Sequence, residues 1–87
     1  MNTVINVYGK AIEFDTELLK LYEKTTTNTL EEAAPYFVAA TYNEAAGFDK
    51  NRLNEIISSK TSEELKEAIM AWVKADFRCY GVTYGDS

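Results

Sequence analysis

Few side chains in this chain could do covalent or acid–base chemistry, and their neighbours decide what each can do. Cys79 is the sole cysteine and there is no histidine. A catalytic thiol needs a group that lowers its pKa or takes its proton, and an imidazole, the usual partner, is missing. Cys79 is therefore expected as an inert, buried strand residue. One cysteine closes no internal disulfide, and without histidine no second soft ligand exists for zinc. No catalytic residue, cofactor or metal site is expected. Adjacent carboxylates stand at Glu31-Glu32 and Glu63-Glu64. Each pair follows a Thr-Leu or Thr-Ser step that opens a helical pattern, where capping and the helix dipole account for negative charge. Asp49-Lys50-Asn51 begins like a calcium loop, but the turn glycine and the closing glutamate are missing at the right offsets, so Asp49 reads as a helix cap. No glycine-rich phosphate cradle occurs, since Gly81 and Gly85 fall in a strand-like segment and a tail.

What remains for function is recognition chemistry. Six tyrosines supply large apolar bodies with polar tips, a side chain favoured at protein interfaces. Nine basic against fourteen acidic residues give a formal charge of −5, which opposes binding to a nucleic-acid backbone. Only Arg52 and Arg78 could read a phosphate bidentately.

The elements that must position these side chains follow from pattern. Thr3-Val4-Ile5-Asn6-Val7-Tyr8 is rich in strand formers, and Gly9-Lys10 suits a two-residue type II′ hairpin turn. That turn sets Tyr8 against Ala11, Val7 against Ile12, Asn6 against Glu13 and Ile5 against Phe14. Ile5, Val7, Ile12 and Phe14 then share one apolar face, with Asn6, Tyr8 and Glu13 on the other. A helix is expected from Asp15 or Thr16 through Leu18, Leu19, Leu21 and Tyr22, ended by Thr25-Thr26-Thr27-Asn28. Thr29-Leu30-Glu31-Glu32 has capping-box order, but Pro35 follows. Either one helix runs from about Leu30 with a kink, or a turn precedes a helix whose first residue is Pro35. Both readings are helical from Pro35 to Ala46, with Gly47-Phe48 as a left-handed stop.

Asp49 caps a helix that buries Leu53, Ile56 and Ile57. Thr61-Ser62-Glu63-Glu64 is a second capping box, and its helix buries Leu65, Ile69, Trp72 and Val73 on one side. Phe77-Arg78-Cys79-Tyr80-Gly81-Val82-Thr83-Tyr84 reads as a last strand with a bulge at Gly81. A lone hairpin is marginal, so this strand is expected to join it. The fold class is α+β: a small antiparallel sheet covered by three or four helices, in the order ββααα(α)β, within one domain spanning 1–87.

A chain of 87 residues removes roughly 60–65% of its accessible surface from water on folding. Its 46% hydrophobic content is enough for such a core. No apolar run is long enough for a membrane span and the first residues lack signal-peptide order, so a cytoplasmic setting is expected.

Val4-Ile5-Asn6-Val7-Tyr8-Gly9-Lys10, continuing Ile12-Glu13-Phe14-Asp15, resembles the start of short uncharacterised proteins carried by bacterial phages and conjugative elements. The resemblance covers about one-sixth of the chain and implies a mobile-element setting, in which small acidic proteins resemble inhibitors of host defence, anti-CRISPR proteins among them. It brings no binding residue with it. The expected function is that of a non-enzymatic inhibitor or modulator of a larger bacterial protein, such as a nucleic-acid-handling defence enzyme, without direct nucleic-acid or membrane contact. Tyr8, Tyr80 and Tyr84 with Glu13 and Glu17 are the expected partner-binding residues, and Glu23, Glu44 and Asp49 add phosphate-like charge. Seven lysines dilute the acidic field too far for duplex mimicry. The alternative is an assembly protein, a homodimer joined through a strand edge.

Overall fold

A computed structural model describes residues 1–42 and 49–83. The expected helix continuation to Ala46, the Gly47-Phe48 stop, and Glu44, Tyr84 and Gly85 lie outside the described residues. Two strands, β1 (Asn2–Val7) and β2 (Lys10–Asp15), are followed by four helices, α1 (Thr16–Thr26), α2 (Leu30–Tyr42), α3 (Lys50–Ser59) and α4 (Ser62–Cys79). The fold is α+β, with the hairpin laid over the helices.

Ile5, Val7, Ile12 and Phe14 are buried on one face of the hairpin, as their alternation requires, while Val4 is 58% exposed on the other. The register differs from the expected one. Ile5 faces Ile12 and Val7 faces Lys10, so Tyr8 and Gly9 make the turn, with φ of 49° and 88°. Two left-handed residues in succession fit a type I′ turn, whose twist matches that of the strands. Asn6 favours it, because its side-chain oxygen accepts the Gly9 N–H at 2.9 Å. Moving the turn by one residue changes every cross-strand partner by two positions, which leaves the apolar face intact and takes Tyr8 off the sheet.

Helix α1 stops at Thr27, whose φ of 62° is left-handed. Helix α2 starts at a capping box in which the Glu32 N–H donates to Thr29 Oγ1 at 3.2 Å and the Thr29 backbone N–H donates to Glu32 Oε1 at 3.5 Å. Of the two expected outcomes, the one with a single helix from Leu30 holds: Pro35 lies inside α2. Asp49 accepts from the N–H groups of Asn51 and Arg52 at 2.9 and 3.3 Å. Thr61 and Glu64 form the reciprocal box of α4 at 2.9 and 3.1 Å. The backbone N–H of Thr61 donates to Glu64 and holds its carboxyl below the usual range.

Among the described residues no C-terminal strand joins the hairpin, and Phe77–Cys79, read as its start, complete α4. Leu65, Ile69, Val73 and Phe77 are all buried, and their four-residue spacing carries the helical period into the segment read as a strand. Gly81 (φ 75°) is a helix stop and not a bulge. Val82 N–H donates to the Phe77 carbonyl at 2.8 Å and Gly81 N–H to that of Arg78 at 3.2 Å, the paired bonds of a Schellman motif, and Val82 folds back onto the core. Cys79 is consequently exposed on a helix, and the expectation of a buried strand cysteine is corrected. One hydrophobic cluster draws on all six elements.

Candidate functional site

The hairpin turn and the first half of α2 come together at the surface. Tyr8, Glu31, Glu32, Pro35, Tyr36 and Lys50 line a crevice of about 380 Å³. Each side chain arrives there for a local reason. Tyr8 is carried by the I′ turn and packs its ring partly against the core. Pro35 and Tyr36 sit on consecutive positions of α2, so the proline is buried and the tyrosine is 61% exposed. Glu31 is not a cap: its Oε2 accepts the Asn6 N–H of β1 at 2.8 Å. That bond ties α2 to the sheet and occupies a donor on an edge that could otherwise pair with another strand. On β2 it is an acceptor that is occupied, the Ser62 hydroxyl donating to the Ala11 carbonyl at 3.0 Å.

Of the described residues expected to bind a partner, only Tyr8 lines this crevice. Glu13 is exposed on the solvent side of β2, Glu17 is exposed in the first turn of α1, and Tyr80 is 58% exposed at the end of α4. Tyr80 does not lie on the expected last strand, because it follows a helix. Sequence reasoning missed Tyr36. Its signal was the position next to a helical proline, on the face opposite the buried Ala34 and Val38.

A second aromatic group runs between α1, α2 and α4. Tyr22 meets Phe37 edge-on at 6.4 Å and Phe77 at 6.0 Å, and Phe37 stacks on Trp72 at 6.1 Å. Tyr22 is buried and donates its hydroxyl to Asp76 Oδ2 at 2.9 Å. Burial first, and then the bond to the Asp76 carboxylate, push the phenol well above its ordinary pKa. Trp72, expected in the core, is 40% exposed. Its indole N–H donates to Thr41 Oγ1 at 2.9 Å, so the ring covers α2 with one face and leaves the rest to solvent.

Among the described residues no group of three or more His, Cys, Asp or Glu is placed to hold a metal ion. No described helix is long and apolar enough to cross a membrane. Compared with known proteins, the chain matches no family, no curated sequence and no solved structure.

Proposed function

We propose that this chain is a non-enzymatic protein-binding module that occupies and modulates a larger bacterial protein through the Tyr8–Tyr36 crevice. The setting suggested by its opening residues is a mobile element, and the proposed action is inhibition of a host defence protein. One observation carries the reading. Tyr8 holds a left-handed backbone at a turn position where Asn, Asp or Gly is favoured, a choice that costs about 1 kcal/mol of local strain. A residue kept against local preference is a pointer to function. Here it places an aromatic ring beside the exposed Tyr36 and the buried Pro35.

The crevice offers two phenols for packing and hydrogen bonding, with carboxylates at Glu31 and Glu32 and an ammonium at Lys50. Together with the net charge of −5, this suits a partner surface that is basic around an apolar centre. Affinity capture from nuclease-treated lysates of bacteria carrying defence systems tests the reading. The expected result is one larger protein retained near stoichiometry by the native chain and lost with Tyr36→Ala. Capture that is indifferent to Tyr36, or retention that disappears with nuclease treatment, would overturn it.

A further inference from the structure

The outer face of α4 carries an order of charges that no other described residue answers. Glu63 and Glu67 lie one turn apart near the start, and Lys74 and Arg78 lie one turn apart near the end, all four exposed. Like charges four residues apart destabilise a helix where opposite ones would support it. The helix dipole favours Glu63 and Arg78, but Glu67 and Lys74 stand inward of the terminal turns, where that effect has faded. No ion pair to another described residue involves any of the four.

Along the same face Ala71 and Ala75 are exposed, with Trp72 beside them, held by Thr41. Short side chains let a second helix approach closely, and the indole supplies a rigid flank for it. We propose that α4 pairs with α4 of a second copy of this chain, antiparallel, about a two-fold axis passing between Met70 and Ala71. That single register sets Glu63 against Arg78 and Glu67 against Lys74 of the second copy. The two-fold repeats both pairs, so all eight charges are answered. A parallel pair would set like against like at every one of these positions. The antiparallel order therefore selects a second copy as occupant by its charge sequence. Because the Tyr8–Tyr36 crevice lies on other elements, this association is independent of the function proposed for it.

Sedimentation equilibrium of the full chain tests the pairing through charge swaps. Glu67→Lys and Lys74→Glu each give α4 an opposite-charge i,i+4 pair, with Glu63 and Arg78 respectively, so the fold is kept. Each alone is expected to weaken the dimer about tenfold, since two attractive pairs become repulsive. The double variant restores it to within about threefold. In a Cys79→Ser background, Ala71→Cys is expected to oxidise to a covalent dimer, its copies meeting at the axis. A monomer at all micromolar concentrations, a dimer that ignores the single swaps, or a double variant weaker than either single one would overturn the pairing. So would a disulfide between the native Cys79 residues, which marks a parallel pair.

Discussion

The end of α4 and the tip of the hairpin both need a left-handed backbone, and they meet the need in opposite ways. At Gly81 every level agrees. The residue type, the paired bonds from Gly81 and Val82, and the return of Val82 to the core all specify the same stop. At the hairpin Gly9 agrees but Tyr8 does not, since a bulky side chain at φ 49° works against its own turn. The aromatic surroundings differ in the same sense. Near the end of α4, Tyr22 is buried and its hydroxyl is satisfied by Asp76. Near the hairpin tip, Tyr36 keeps most of its surface in water. One region is built for stability; the other gives up some stability, and on the proposed reading it does so to present a surface.

The largest test removes the packing on which the stable region rests. Phe77→Ala is expected to cost about 3–5 kcal/mol in denaturant unfolding, because the ring is 2% exposed and touches Tyr22. A loss under about 1 kcal/mol would erase the contrast by showing that the end of α4 frays without cost.

Tyr22→Phe comes next, at roughly 2 kcal/mol near neutral pH, since it removes a donor from a carboxylate in a partly buried position. It also carries a pH signature. The folded-state pKa of Tyr22 is raised, so the neutral phenol's contribution is complete below the unfolded value of about 10 and is lost as pH rises past it. Thermal melts of the native chain should fall more steeply above that pH than those of Tyr22→Phe. Parallel curves would place the phenol outside the folding energetics.

These two regions were also unequally legible in the sequence. The inward hairpin face was read correctly because alternation survives a one-residue change of turn, and the register was not, because Gly9 can serve either as the first or the second turn residue. The capping boxes at Thr29 and Thr61 were legible as purely local chemistry. The start of the expected last strand, Phe77–Cys79, misled because the segment is rich in aromatic and β-branched residues, which favour strands. The four-residue spacing from Leu65 through Phe77 outweighed that preference once tertiary packing was available. Trp72 was in phase with the buried stripe but at its margin, where α2 covers only one face of the ring. The crevice was half legible: Tyr8 was singled out as a candidate partner-binding residue and lines it, while Tyr36 required knowing that Pro35 lies within a continuous helix.

A smaller change sharpens the comparison at the glycine. A Cβ added at Gly81 meets nothing within 4 Å, so Gly81→Ala should cost only the left-handed strain, about 1 kcal/mol. Equilibrium unfolding in urea reads this directly, and a cost above about 3 kcal/mol would mean that the stop does more than turn the chain.

The smallest expected effect, and the one of opposite sign, lies at Tyr8. Its replacement by a residue that accepts the turn should relieve strain while losing some ring packing, leaving stability within about 0.5 kcal/mol of the native chain or above it. Tyr8→Asn is therefore the most direct test of the account, with its unfolding free energy and its affinity for the captured partner measured side by side. The account predicts stability equal or higher and affinity at least about tenfold lower. Stability and affinity falling together would make Tyr8 a packing residue, and unchanged affinity would place the binding surface elsewhere; either result would contradict it.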